Sequence, residues 1–130
     1  MKIKLVTIVA DPTFRRGLNM LLREISDVEI VAELFECKGV MEINPKPDVI
    51  ILDTFSNLKE GLNDAKSLVE NFPGSKVVFL THHEASATQT ISRLSGVHAL
   101  LIKPFTLREL TCAIEGLFME SPGKSSPITR

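Results

Sequence analysis

Residues 47–57, PDVIILDTFSN, place an acidic residue directly after a run of four aliphatic ones. The run Val49–Leu52 is apolar at every position, which is typical of a strand covered by helices on both faces, as in a parallel sheet. Asp53 then brings a carboxylate to the end of a buried segment. Because an unpaired buried carboxylate is costly, we expect Asp53 either to face water at the rim of a sheet or to lie beside a cation.

Similar aliphatic segments recur along the chain, and each is followed by a segment with helical spacing. The predicted strands are Ile3–Val9, Val28–Leu34, Val49–Leu52, Lys76–Leu80 and Ala99–Ile102. The predicted helices are Thr13–Ile25, a brief one within Cys37–Asn44, Leu62–Phe72, Glu84–Ser95 and Thr106–Met119. Thr106 and Glu109 are spaced for an N-terminal capping box. This alternation predicts an α/β fold, an open doubly wound parallel sheet with five strands.

Length and composition indicate one globular domain. The chain has 130 residues, 44% of them apolar and 24% charged, and its net charge of −1 gives no reason to expect direct nucleic-acid binding. We expect the domain to occupy residues 1–120 and residues 121–130, SPGKSSPITR, to form a flexible tail or the start of a linker. No apolar run is long enough for a membrane span, so a cytoplasmic location without membrane contact is expected.

Polar residues follow four of the predicted strands. They are Asp11, Asp53, Thr81 and Lys103. The carboxyl ends of parallel strands meet at one edge of a sheet, so these side chains are expected to converge there. Two carboxylates suit Mg²⁺, and an ammonium and a hydroxyl suit phosphoryl oxygens. The pattern predicts a phosphoryl site in which Asp53 acts as the nucleophile.

Four segments of the sequence resemble receiver domains of two-component response regulators. They are IVADPTFRRGL, PDVIILDTFSNLKEGL, VVFLTHH and LLIKPF, and the similarity covers roughly residues 3–119. The Lys103-Pro104 step in the last segment is the most specific feature. The resemblance implies the five-stranded flavodoxin-like (βα)5 receiver fold with strand order 2-1-3-4-5. The stretch LLREISDVEIVAE is similar to receivers that precede a LuxR-type DNA-binding domain.

The resemblance also implies residue roles. Asp53 matches the phosphoacceptor, Thr81 the switch hydroxyl and Lys103 the phosphate-sensing lysine. Asp11, Asp53 and the backbone carbonyl of Phe55 match the ligands of Mg²⁺. The implied partners are a sensor histidine kinase and a second copy in a homodimer, with DNA contacted only through a downstream output domain that this chain does not contain. Such a domain is a phosphoacceptor in transcription regulation, and not an enzyme beyond self-catalysed phosphotransfer and autodephosphorylation.

The sequence departs from the family pattern at four positions. Ala10 replaces the first acid of the usual pair after the first strand, which should weaken Mg²⁺ binding. Phe55 and His82 place bulk at the rim, which predicts slow phosphoryl exchange. Leu100 stands where an aromatic switch residue is usual.

Other titratable side chains have less specific interpretations. His82, His83 and His98 are predicted to be exposed loop histidines. Arg15 and Arg16 are predicted to lie on a solvated face of the first helix. Cys37 and Cys112 are expected to be buried, reduced thiols.

Two alternative functions remain open. The first is a pseudo-receiver that docks partners or dimerises without phosphorylation, and it is favoured by Ala10, Phe55, His82 and Leu100. The second is a flavodoxin-like cofactor-binding protein, which is weaker because the segment ADPTFRRG lacks a phosphate-cradling loop.

Overall fold

The computed structural model describes residues 2–53, 58–82 and 96–118. The strands are β1 (Ile3–Ile8), β2 (Val28–Leu34), β3 (Val49–Asp53), β4 (Lys76–Thr81) and β5 (Ala99–Ile102), and the helices are α1 (Pro12–Arg23), α2 (Leu58–Asn71) and α3 (Leu107–Gly116). The predicted helix Glu84–Ser95 and the predicted tail 121–130 lie outside the described residues. Within the described ranges, no helix combines the length and the apolar character that crossing a membrane requires.

All five strands form one parallel sheet in the order β2-β1-β3-β4-β5. This order confirms the predicted doubly wound fold. The central strand β3 is buried along its whole length, as its unbroken apolar run indicates. The edge strand β5 is different: Ile102 is exposed although the run Ala99–Ile102 is equally apolar. A continuous apolar sequence therefore did not distinguish a central strand from an edge strand.

Two apolar layers pack on opposite faces of the sheet. The layer below α1 and α3 has the buried members Leu5, Val9, Leu18, Leu22, Ile25, Val49, Ile51, Val78, Leu80, Ala99, Leu101, Leu110 and Ile114. The layer below α2 has the buried members Val6, Ile8, Val40, Ile50, Leu52, Ala65, Leu68, Phe72, Val77, Phe79 and Val97. Successive strand residues contribute to alternate layers, so position along a strand decides which helices a side chain meets.

The pairing of β1 with β2 contains one irregularity. Leu5 pairs with Ile30 and Val6 with Ala32, which leaves Val31 as an extra residue in β2. Such a bulge shifts the alternation of side chains by one position. As a result Ile30 packs with the layer below α1, and Ala32 packs with the layer below α2.

Local sequence signals fix the beginnings of two helices. Asp11 is the N-cap of α1, and its Oδ1 accepts a hydrogen bond from the Thr13 backbone N–H at 3.1 Å. Pro12 follows at the first helical position, where its missing N–H costs nothing. The predicted capping box of Thr106 and Glu109 is present in full at the start of α3.

Helices α1 and α3 end earlier than predicted, at Arg23 and Gly116, and two further helix predictions were wrong. Helix α2 begins at Leu58 instead of Leu62. Leu58 is the single apolar residue of a first turn that continues with Lys59, Glu60 and Gly61, which is too weak a periodic signal to mark the start. The brief helix expected within Cys37–Asn44 is only a 3-10 turn, Val40–Glu42. Gly39 before this turn has a φ of 92°, a left-handed conformation that ends regular structure and suits glycine.

The two cysteines are free, but they are less buried than expected. Cys37 is half-buried and Cys112 is exposed on α3. Burial, with a smaller contribution from the charge of Asp64, raises the pKa of the Cys37 thiol to about 11. Cys37 is therefore protonated and unreactive at neutral pH.

His98 was wrongly predicted to be an exposed loop residue. It is half-buried, and its Nδ1 accepts a hydrogen bond from the Val77 backbone N–H at 3.0 Å. The backbone N–H of His98 donates in turn to the Val77 carbonyl at 2.9 Å. The imidazole thus extends the pairing of β4 at the point where β5 begins. Burial, and secondarily the charge of Lys76, lowers the pKa of His98 below its ordinary value of 6.5.

A lowered histidine pKa makes stability depend on pH. The contribution of neutral His98 to the free energy of unfolding is fully present above pH 6.5, the ordinary pKa of histidine. It is lost as the pH falls from there through the lower pKa of the folded state. We expect His98→Asn, whose Oδ1 can replace Nδ1 as acceptor without titrating, to lose less stability than wild type between pH 7 and pH 5. His98→Leu should lose about 1–3 kcal/mol already at pH 7, because the Val77 N–H is left unpaired. Urea unfolding of the three proteins at several pH values measures this; parallel pH profiles would contradict it.

Candidate functional site

Asp53 is the last residue of β3, and its side chain lies on the face covered by α1 and α3. This follows from strand alternation, since Val49 and Ile51 pack in the layer below those helices. The Asp53 side chain is 0% exposed. It therefore does not face water at the rim, which was one of the two environments expected from the sequence.

Lys103 provides the cationic partner that was the other expected environment. Its Nζ lies 2.8 Å from Asp53 Oδ1, and the Lys103 side chain is only 17% exposed. The Lys103 backbone N–H donates to the Thr81 carbonyl at 2.7 Å, which fixes the start of the loop after β5 against the end of β4. The peptide bond between Lys103 and Pro104 is cis.

An aromatic pair supports the ammonium group. Lys103 Nζ lies 4.4 Å from the ring centroid of Phe14, a distance suited to a cation–π contact. Phe105 meets the Phe14 ring edge-on, with centroids 6.3 Å apart. Phe14 lies within the helix predicted over Thr13–Ile25, and nothing local in the sequence indicates that it contacts the distant Lys103.

The electrostatic balance at Asp53 favours its neutral form more than usual. Burial raises the pKa of the Asp53 carboxyl, and this effect outweighs the hydrogen bond and charge of Lys103, which lower it. The charge of His82 also lowers the pKa, whereas that of Asp11 raises it. Asp53 Oδ2 is buried and has no hydrogen-bond partner among the described residues. One carboxylate oxygen is thus paired with an ammonium, and the other accepts a hydrogen bond from none of the described residues.

Asp11 and Thr81 are positioned by the start of α1 and by the end of β4. Asp11 caps α1 through Oδ1, and its negative charge acts on Asp53, whose pKa it raises. Thr81 is fully buried at the end of β4. Asp53 pairs in register with Leu80, so strand alternation turns the Thr81 side chain toward the opposite face of the sheet. His82 is exposed, as predicted, and Phe55 lies outside the described residues.

The position of these groups at the carboxyl ends of β3, β4 and β5 matches the response regulator receiver domain. The model of that family matches residues 6–115 of the chain. The chain belongs to the response regulator receiver family. Receiver domains are the signalling domains of two-component systems, so the family and the fold predicted from the sequence are both confirmed.

Individual relatives agree with this assignment. The receiver is 27% identical over 116 residues to the transcriptional regulatory protein DegU of Brevibacillus brevis, covering 88% of this chain and 49% of that protein. It resembles the isolated receiver of RcsB from Salmonella enterica serovar Typhimurium, determined with the phosphomimetic BeF3⁻ (TM-score 0.76, 20% identity, 90% of this chain and 88% of that one). A LuxR-family DNA-binding response regulator from Staphylococcus aureus has the same fold (TM-score 0.76, 20% identity, 88% and 98%). The chain spans about half the length of the curated relatives it matches.

Sequence reasoning missed the environment of Arg15. It was predicted to lie on a solvated face with Arg16, but its guanidinium Nη1 donates to the Val9 carbonyl at 3.1 Å. The same group lies 4.2 Å from the Phe35 ring centroid and 3.8 Å from a Glu33 carboxylate oxygen. Arg15 therefore ties α1 to β2, whereas Arg16 is exposed as predicted.

Proposed function

We propose that this receiver accepts a phosphoryl group on Asp53 from a sensor histidine kinase. The supporting observation is the buried Asp53 carboxylate, with one oxygen bonded to Lys103 Nζ at 2.8 Å and the other without a partner among the described residues. In the transfer, an Asp53 oxygen forms a bond to phosphorus as the bond from phosphorus to the donor nitrogen breaks. The electron pair of that bond remains on the histidine imidazole of the kinase.

The residues present fit a Mg²⁺ site with few protein ligands. Mg²⁺ keeps several waters and needs only one or two carboxylates, so Asp53 Oδ2 and the nearby charge of Asp11 meet its basic requirement. No group of three or more acidic, histidine or cysteine side chains that could hold a metal occurs within the described ranges. The proposed ligands are Asp11, Asp53 and the Phe55 backbone carbonyl. When bound, the ion would neutralise part of the phosphoryl charge.

Lys103 and Thr81 are proposed to respond to the phosphoryl group. Lys103 already contacts Asp53, and its ammonium would shift from the carboxylate to a phosphoryl oxygen. The Thr81 side chain starts on the other face of the sheet by strand alternation, so its hydroxyl would have to turn inward to donate to the same group. That movement would bias the segment after β4 and the surface near β5, where Ile102 is exposed.

The output is proposed to be dimerisation and transcription regulation. DegU is named a transcriptional regulatory protein, and the similarity to it covers most of this chain. We propose that the receiver works in the cytoplasm as part of a LuxR-type response regulator, with DNA contacted by an output domain and not by these residues.

A pseudo-receiver is the second candidate, and two observations favour it. The Asp53 side chain is inaccessible in this structure, and Asp11 already uses one oxygen to cap α1. In that case the domain would dock a partner or dimerise with Asp53 unmodified. Asp53→Asn would then leave partner binding unchanged.

Incubation with acetyl phosphate and Mg²⁺, followed by intact-mass measurement, tests the phosphoacceptor proposal. We expect wild type to gain one phosphoryl group and Asp53→Asn to gain none. Asp27→Asn, which makes the same change at an exposed position, should label like wild type. The absence of labelling with acetyl phosphate, phosphoramidate and a set of histidine kinases would reject the proposal, as would labelling of Asp53→Asn.

A further inference from the structure

A cleft of about 250 Å³ lies between α1 and β2, at the edge of the sheet opposite β5. Its lining includes Arg15, Arg16, Asn19, Met20, Arg23 and Glu33. None of these side chains contributes to the proposed phosphoryl site. The cleft is therefore a separate feature of the surface.

The cleft carries a net positive charge. Arg15 Nε lies 3.8 Å from Glu33 Oε1, so the charges of these two side chains largely offset each other. Neither Arg16 nor Arg23 makes an ion pair with any other described residue. Two guanidinium groups are thus available to an anion, and guanidinium is the side chain best suited to bind carboxylates through two hydrogen bonds.

Asn19 lines the cleft with an unsatisfied amide. It is only 7% exposed, and its Oδ1 is buried without a hydrogen-bond partner among the described residues. A buried acceptor without a donor destabilises the fold. The side-chain torsion that orients the amide is soft, so the group can turn toward the cleft. A side-chain amide, which has both a donor and an acceptor, is complementary to a peptide group.

The spacing along α1 indicates an extended ligand. Arg16 and Arg23 are seven residues apart, which corresponds to roughly 10 Å along a helix. An extended chain rises about 3.3 Å per residue, so carboxylates about three residues apart in a peptide match this distance. Met20 lies between the two arginines with 62% of its surface exposed, and it offers an apolar contact between the charged ones.

We propose that the α1–β2 cleft binds an extended acidic segment of another protein. Carboxylates of the segment pair with Arg16 and Arg23, an apolar side chain between them packs on Met20, and a backbone peptide group bonds the Asn19 amide. Charge complementarity and the unsatisfied amide favour this occupant over an apolar or basic segment. The interaction does not require phosphorylation of Asp53.

Binding of a fluorescein-labelled peptide, Gly-Glu-Glu-Leu-Glu-Glu-Gly, to the full chain tests this proposal. We expect the counterpart with every Glu replaced by Gln to bind at least tenfold more weakly. Arg16→Gln and Arg23→Gln should each weaken binding of the acidic peptide about threefold, and together about tenfold. Arg108→Gln, the same charge change at an exposed position of α3, should leave binding unchanged.

Asn19→Leu separates a docking surface from general charge attraction. It should weaken binding of the acidic peptide about fivefold while the midpoint of urea unfolding does not fall, because the unpaired acceptor is removed. The proposal is overturned if the Gln peptide binds equally well or if Arg108→Gln weakens binding as much as Arg16→Gln. Full competition by inorganic phosphate at equal concentration would identify a small-anion site and would also overturn it.

Discussion

Lys103→Met is expected to destabilise the domain by about 3 kcal/mol at pH 7. The substitution preserves most of the side-chain volume but leaves the Asp53 carboxylate, whose side chain is 0% exposed, without its ammonium partner. Breaking one side of a buried ion pair is costly because the remaining charge is neither solvated nor compensated. The figure lies at the lower end of the usual range because Lys103 is partly exposed.

The pH dependence of this loss follows from the pKa of Asp53. Burial already raises it, and removal of Lys103 takes away the two largest effects that lower it, so it rises further. A carboxyl with a raised folded pKa contributes stability that is fully present below its unfolded value of 3.8 and is lost as pH rises through the folded value. The gap between Lys103→Met and wild type should therefore shrink steadily as pH falls from 7 toward 4.

A double-mutant cycle identifies the cause of the loss. Asp53→Asn should be much milder than Lys103→Met, because the lysine left behind reaches solvent and keeps its contact with the Phe14 ring. The double variant should be more stable than Lys103→Met alone. Urea unfolding at pH 7 and pH 4.5 measures these values. Equal losses for the two single variants, independent of pH, would show that the buried charge is not responsible.

Phe79→Ala is expected to produce the largest loss of stability from the core, about 4 kcal/mol. Among the residues that the structure describes, Phe79 is the largest fully buried side chain, and it lies in the middle of β4 in the layer below α2. Its removal takes away aromatic burial and leaves a cavity between a central strand and a helix, where the backbone cannot collapse to fill it. Unfolding in urea should show a lower midpoint with an unchanged slope.

Phe118→Ala provides the matched control for that prediction. Phe118 is 46% exposed, and the same substitution there should change the free energy of unfolding by less than about 1 kcal/mol. Phe79→Leu should fall between the two. If Phe79→Ala and Phe118→Ala had similar effects, the layer below α2 would not be the well-packed core described here.

The parts of the fold set by local sequence were predictable. The apolar run Val49–Leu52 located the central strand, and Thr106 with Glu109 located the start of α3, because both signals lie within a few neighbouring residues. Asp53 and Lys103 could be placed together because one ends β3 and the other directly follows β5 at the same edge of a parallel sheet. The first turn of α2 was missed because one apolar residue, Leu58, followed by Lys59, Glu60 and Gly61, gives too little periodic signal.

Other contacts between distant residues, which do not lie at the ends of neighbouring strands, were not predictable. The Phe14 ring below Lys103, the Arg15 contacts with β2 and the Val77–His98 hydrogen bond each join positions that only the packing of helices and strands brings together. The exposure of Ile102 depends on which face of β5 is not covered by a helix, and the apolar sequence of the strand does not indicate that face. For such residues, composition indicates the chemistry of a side chain but not its neighbour.

The extra residue Val31 makes it harder for a strand of another molecule to pair with the edge of the sheet at β2. β2 is an outer strand of the sheet, so its outward N–H and C=O groups are a template for adding a strand from another molecule. A bulge bends and twists the strand locally, and a straight incoming strand then cannot keep hydrogen bonds on both sides of that position. Assembly into sheet-extended aggregates is disfavoured on this side, which leaves the adjoining helix face open for reversible contacts.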